Sequence, residues 1–346
     1  MMWLTWRQFR AQGIVAAALA VALGVVLLIT GLNLAHLNSD SGVATCHGAR
    51  ACATAANAFI NQLPGTGSVP VFFGTIAVIY LAPALMGIFW GAPLVARELE
   101  TGTFRLAWNQ SVSRARWLVV KLGVVGLAAM ATAGLLSLFL GWWESPIFRA
   151  AALAGSDSAA VTRISPQLFG AQGIAPIGYA AFAFALGVTA GALIRRTIPA
   201  MAVTLAAFGL VQAAWPLWIR SHLITPLREY FAITPANVNE LAIINNTQMI
   251  VRHDVEKPGA WVVSDQTVSP SGHLFSGPPT HACLSANASP NACNASIAAL
   301  HLRALISYEP ASRFWPLQWT ETGIFVVLAM ALAAFCAWRI GKRRLA

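Results

Sequence analysis

Six long apolar stretches, nearly free of charge, constrain this chain more than any other feature. The core of the first, GIVAAALAVALGVVLLITGLNLA, contains no ionisable residue at all. A helix needs about 20 apolar residues to cross a bilayer, whereas membrane barrel strands alternate over about 10. These runs are too long for barrel strands and do not alternate. They predict an all-α integral membrane fold with six helices, at about 12–35, 70–94, 118–143, 172–194, 197–219 and 317–338. Composition agrees: 57% of residues are hydrophobic and 10% charged, against about 25% charged in a soluble domain. The first run is longer than the apolar core of a signal peptide and has no well-placed A-x-A-like site, so it reads as a retained helix.

Six spans place both termini on one side, and the lysine and arginine bias selects that side. One set of segments carries Arg7, Arg10, Arg97, Arg105, Arg114, Arg116, Lys121, Arg195, Arg196, Arg339, Lys342, Arg343 and Arg344, with Glu98 and Glu100 as its acids. That face is expected to be cytoplasmic, with both termini. The net charge of +10 thus reflects topology and gives no reason to expect a nucleic-acid partner. Four of the five cysteines fall on the opposite face in two close pairs, CHGARAC and CLSANASPNAC. Disulfides persist outside reducing compartments, so proximity favours Cys46–Cys52 and Cys283–Cys293 among the three possible connectivities. His281 and His301 flank the second pair, but the spacing matches no standard zinc pattern, so no metal site is expected. Cys336 reads as a small packing residue in the sixth helix.

Between the spans, MWLTWRQFR spaces Trp3, Trp6 and Phe9 three apart with Arg7 and Arg10 between, as in a short interfacial helix. A loop of about 35 residues follows the first helix, and WWESPIFRAAALAGSDSAAVTRISPQ joins the third to the fourth outside. LIRRTIPAM forms a tight hairpin in which Thr197 is placed to cap the fifth helix and Pro199 fits its first turn. Gly187 and Gly191 make a small-xxx-small patch for close helix packing. The largest piece outside the spans, about 220–313, has many turn signals and a strand-like AWVVSDQTVS, and is expected to be an ordered extracellular subdomain.

No phosphate loop, H-E-x-x-H, G-x-S-x-G or C-x-x-C motif occurs. The chain is therefore not expected to be an enzyme or to bind a cofactor. Intramembrane charges mark proton relays and ion pathways, and the nearest candidates are Glu144 and Glu321 at the outer ends of the third and sixth helices. They read either as interfacial residues in contact with water or as the outer mouth of a pathway.

The conspicuous charge lies in VARELETGTFRLAWNQSVSRARWLVVK, where Arg97, Glu98, Glu100, Arg105, Arg114, Arg116 and Lys121 interrupt two apolar runs. Arg97 and Glu98, then Gly102 and Thr103, Leu106, Val112-Ser113-Arg114 and Lys121 resemble the connector of ABC-2 type transporter permeases, with Ser111 in place of the usual proline. WLTWRQFRAQ and YEPASRFWPLQWTETG look like the actinobacterial-type branch of that family.

The resemblance implies a permease subunit of a bacterial plasma-membrane exporter, working as a dimer (a homodimer is expected) in membrane lipid. A separate cytoplasmic ABC ATPase subunit would supply the site for ATP and Mg. It also implies that the coupling segment, about 95–117, docks on that ATPase through Arg97, Glu98, Glu100, Gly102, Thr103, Arg105 and Arg114. A helix N-terminal turn containing Glu98 and Glu100 would be favoured by the helix dipole. Apolar spans point to an amphipathic or hydrophobic cargo, such as a drug, antibiotic, lipid or peptide. The alternative is a membrane sensor or immunity protein that binds an external peptide through the 220–313 subdomain.

Overall fold

Small residues dominate Ala175–Ile194, APIGYAAFAFALGVTAGALI, and let other helices approach its backbone closely. The rest of the membrane unit is built around this hub. The computed structural model describes residues 2–102, 114–154, 162–234, 238–244, 248–253, 259–275, 277, 280–284 and 289–342. Two compact units result: residues 1–223 with 314–346, and the insert Ile224–Arg313.

In the first unit, α1 spans Met2–Asp40, α2 Ala49–Gln62, α3 Ser68–Met86, α4 Ala92–Thr101, α5 Arg114–Leu153, α6 Ala175–Ile194 and α7 Thr197–Ala214. The last helix of the chain is Phe314–Lys342. Six segments are long and apolar enough to cross a membrane. They run well past the apolar windows because a helix need not stop where its hydrocarbon-length core does. Thus α5 continues through Glu144 and Pro146 to Leu153, where the sequence suggested a loop. Likewise α1 is one helix from Met2, not a short interfacial piece followed by a span. Its Phe9 is buried edge-on against Trp90, centroids 4.8 Å apart, instead of lying in an interface.

The hub is α6, with 78% of its apolar window buried, against 6% for the first span. The Gly187–Gly191 patch accounts for part of this. A Cβ on Gly187 would lie 2.2 Å from the Gly87 carbonyl oxygen, and one on Gly191 would lie 2.5 Å from that of Ala92. At this crossing Gly87–Gly91 forms a π-helical turn between α3 and α4, a local widening that often appears at functional sites. A second π turn, Trp215–Ile219, extends α7 to Arg220. Phe9 of α1 and Ile340 of the last helix share one core cluster with Val95, Trp117 and Val188.

The insert departs from an all-α fold. It contains β1 (Leu227–Ala232), β2 (Val238–Ile244), β3 (Gln248–His253), β4 (Trp261–Val268), the helix α8 (Pro290–Ala298) and β5 (Arg303–Glu309). Strands β1, β5 and β4 form an antiparallel sheet in that order, and β2 pairs with β3 as a hairpin. Alternate residues of β5, Ala304, Ile306 and Tyr308, face a small core with Ile297, Leu302 and Cys293. Cys283 is bonded to Cys293 in this unit, and Cys46 to Cys52 in the other. Ser289 caps α8 by accepting from the Ala292 amide. The final helix, Phe314–Lys342, is α9.

Candidate functional site: two buried polar anchors

Charged side chains are scarce in the membrane unit, and the buried ones concentrate at its two ends. At one end of the bundle, α4 finishes in ARELET and Gly102 ends it in the left-handed conformation, φ 74°. Glu98 and Glu100 therefore lie in the last turns of a helix, not in an N-terminal turn. There the dipole of their own helix disfavours a negative charge, and partners from other helices compensate. Lys121, on α5, donates to Glu98 Oε1 in an ion pair with side chains 2% and 14% exposed. The Lys121 ammonium also lies 4.8 Å from the Trp117 ring centroid. Glu100 accepts from the Thr197 backbone amide at 3.1 Å and from its hydroxyl at 2.7 Å.

Thr197 thus does not cap its own helix. It is the first residue of α7, and the capping oxygen comes from Glu100, whose charge meets the positive end of the α7 dipole. The turn before it is only Arg195 and Arg196, with Arg195 at φ 59°. Arg97 is exposed. Thr103 and Arg105 lie outside the described residues, as does the side chain of Arg114, the first residue of α5.

At the opposite end the chain turns irregularly before α6, through a single helical turn Pro166–Phe169 and on to Ile174. Leu168, Phe169, Ala171 and Gln172 are buried here, and buried backbone must be satisfied by protein groups. Tyr80 donates to Gln167 O at 3.1 Å, Ser137 to Gly173 O at 2.7 Å, and Arg220 to Pro166 O at 2.9 Å. Gln318 Nε2 donates to Phe169 O at 2.9 Å, while its Oε1 accepts from the amides of Ile174 and Ala175. Four spans thereby hold one turn.

Beside it, Arg220 grips Glu321 with two parallel bonds, Nε to Oε2 and Nη2 to Oε1, each 2.9 Å. Tyr179 donates to the same carboxylate, and Arg220 lies 4.6 Å from the Phe169 ring centroid. Glu144 accepts from Gln172 at 3.1 Å, and Gln172 Oε1 accepts from Arg163 at 3.4 Å. Glu144 and Glu321 are both 0% exposed, so neither is the water-contacting interfacial residue that its place at a span end suggested. The burial of Glu321 is supported by the Arg220 charge and the Tyr179 hydroxyl, whereas Glu144 has the Gln172 amide at Oε2 and no hydrogen bond at Oε1.

Sequence reasoning missed Arg220, Gln318, Gln172 and Tyr179 in this cluster. Arg220 is the one that left a signal, as a lone cation directly after the apolar run WPLWI.

A family model described as ABC-2 membrane transporter related matches residues 7–220. The chain belongs to this family. No curated protein and no solved structure matches it. As an ABC-2 related permease it is a multi-pass membrane protein and a transport subunit, and membership implies an ABC ATPase subunit as partner. The matched stretch takes in the first five spans and the anchors at Glu98, Glu100 and Arg220. Glu321 and the insert lie beyond it.

Proposed function

We propose that the chain is the permease subunit of an ATP-driven exporter of the actinobacterial type, acting as a homodimer in the bacterial plasma membrane. The observation that carries this reading is the double anchoring beside the 103–113 segment. Glu98 ties the end of α4 to Lys121 on α5, and Glu100 ties it to Thr197 at the start of α7. A docked ATPase that displaced the segment would therefore move three span ends together instead of bending one loop.

Orientation follows from charge. Arg97, Arg116, Arg195 and Arg196 are exposed at the end of these anchors, which suits the cytoplasmic side, and the Ile224–Arg313 insert then faces outward. ATP and Mg belong to the partner subunit. At the outer end Arg220–Glu321 and Glu144–Gln172 would seal the pathway, opening as the motor shifts the bundle between inward- and outward-open states. Spans that are apolar apart from a few buried charges, two pairs of which (Lys121–Glu98 and Arg220–Glu321) neutralise each other, suit an amphipathic or hydrophobic cargo, as in drug efflux.

Co-expression with the adjacent reading frames tests the reading. The tagged chain should copurify with a nucleotide-binding subunit and support ATP-dependent uptake of an amphipathic dye by inverted vesicles. Absence of both would refute it.

The separate core and disulfide of the insert favour one rival, a sensor that binds an external peptide there. Deleting 224–313 distinguishes the two, because a sensor would lose its response to peptide while ATPase coupling persisted.

A further inference from the structure

Helices α7 and α9 both pack along α6, but their backbones hardly approach each other. A seam runs between them, floored by Tyr179 and Phe182 of α6. Side chains cross it where Trp215 meets Phe325, centroids 4.5 Å apart. The Arg220–Glu321 pair closes one end.

This seam collects buried polar atoms that have no partner: Gln212 Oε1, Trp215 Nε1 and Thr322 Oγ1. Only one further atom of this kind occurs among the described residues, Glu144 Oε1. A buried polar atom without a partner costs stability, and native structures keep few of them. Here an N–H donor, a carbonyl acceptor and a hydroxyl that can do either occur on facing walls of one seam. Gln212 and Thr322 are half-buried, so the seam reaches the surface of the bundle, beside the exposed Leu217 and Trp218.

We propose that this seam binds an amphiphile whose polar end is a neutral group with both donor and acceptor, such as an amide. Its carbonyl would accept from Trp215 Nε1, its N–H would donate to Gln212 Oε1, and its tail would run out over the exposed Leu217 and Trp218. A charged end is disfavoured, because the nearby Arg220 and Glu321 already neutralise each other and leave no spare countercharge. The proposal rests on the reading of the chain as a permease for amphipathic cargo and names the chemistry of that cargo.

The test uses fluorescence of the full chain in phosphatidylcholine nanodiscs, with the Trp215 signal taken as the difference from a Trp215→Phe variant. The probes are a dibrominated stearamide and the methyl ester of dibromostearic acid, which share a tail and differ in the N–H donor. The amide should quench saturably and bind about two- to tenfold tighter than the ester, the worth of one neutral hydrogen bond. Gln212→Leu should abolish that preference without lowering the thermal unfolding temperature, since the atom removed has no partner. Gln212→Met is the replacement if the leucine variant fails to fold.

Equal binding of the two probes, quenching that never saturates, or a preference that survives Gln212→Leu would each overturn the site. So would quenching that appears only when a dimer is diluted to monomer, which would mean that a second copy covers the seam. The assay contains neither ATP nor an ATPase. Its failure removes the site and leaves the permease reading standing, whereas failure of ATPase copurification does the reverse.

Discussion

Arg220 and Glu321 lie about a hundred residues apart in the chain and meet as a buried bidentate ion pair, with both nitrogen–oxygen distances at 2.9 Å. The pair joins the π-helical end of the fifth span to the start of the sixth, and Tyr179 brings in the fourth. Removing one partner leaves an uncompensated charge in a site with side chains 1% and 0% exposed. Arg220→Met or Glu321→Met alone should therefore cost about 3–5 kcal/mol, and the double replacement should recover most of it. Thermal unfolding of the detergent-purified variants measures this, and additive losses in the double variant would contradict it.

The Lys121–Glu98 pair is expected to behave similarly for stability but differently for function. Lys121→Met should destabilise by about 3–5 kcal/mol and lower transport per ATP hydrolysed in proteoliposomes with the ATPase. The exchanged pair, Glu98→Lys with Lys121→Glu, should restore coupling in part. If the exchanged pair couples no better than either single change, the anchor does not transmit motion.

Glu100 is exposed, so its loss should be local. Glu100→Gln removes the charge at the N-terminus of α7, and Glu100→Ala also removes the acceptor for Thr197. Amide hydrogen exchange over Thr197–Ala200 should quicken slightly in the first and clearly in the second. Unchanged exchange in both would show that the cap contributes nothing.

Two glycine substitutions separate close packing from helix propensity. Gly187→Ala would place a Cβ 2.2 Å from the Gly87 carbonyl oxygen, and backbone cannot swing aside as a side chain can. The helices must part, at a cost of about 1–3 kcal/mol or more. Gly209→Ala meets nothing within 4 Å and should gain about 0.5–1 kcal/mol from helix propensity. Unfolding temperatures moving in the same direction would refute this reading of the hub.

Much of the architecture was legible along the chain. Hydrocarbon thickness sets a length for every apolar run, so the spans could be read one at a time. Cysteine proximity likewise pointed to the two bonded pairs, and small-residue spacing pointed to the Gly187–Gly191 crossing. The anchors were not legible in the same way. Glu98 and Glu100 were visible as acids in a basic segment, but which helix end they served depended on where α4 stopped. Their partners, Lys121 and Thr197, belong to other spans.

Glu144 and Glu321 show the same limit at the other end of the bundle. A carboxylate near the end of an apolar run looks interfacial by position alone, because water is the cheapest partner for it. It becomes a buried residue only when Gln172, Arg220 and Tyr179 arrive from distant parts of the chain.

The sequence by itself determined six apolar spans and two close cysteine pairs, and it carried the resemblance to the ABC-2 family. These are properties of single segments in contact with lipid or water. Tertiary structure alone decided which charges are buried, which helix Glu100 caps, and that Trp215 Nε1 and Gln212 Oε1 are left without a hydrogen-bond partner. Those outcomes depend on pairing across helices, and no local pattern encodes the energy of a contact whose other half is a hundred residues away.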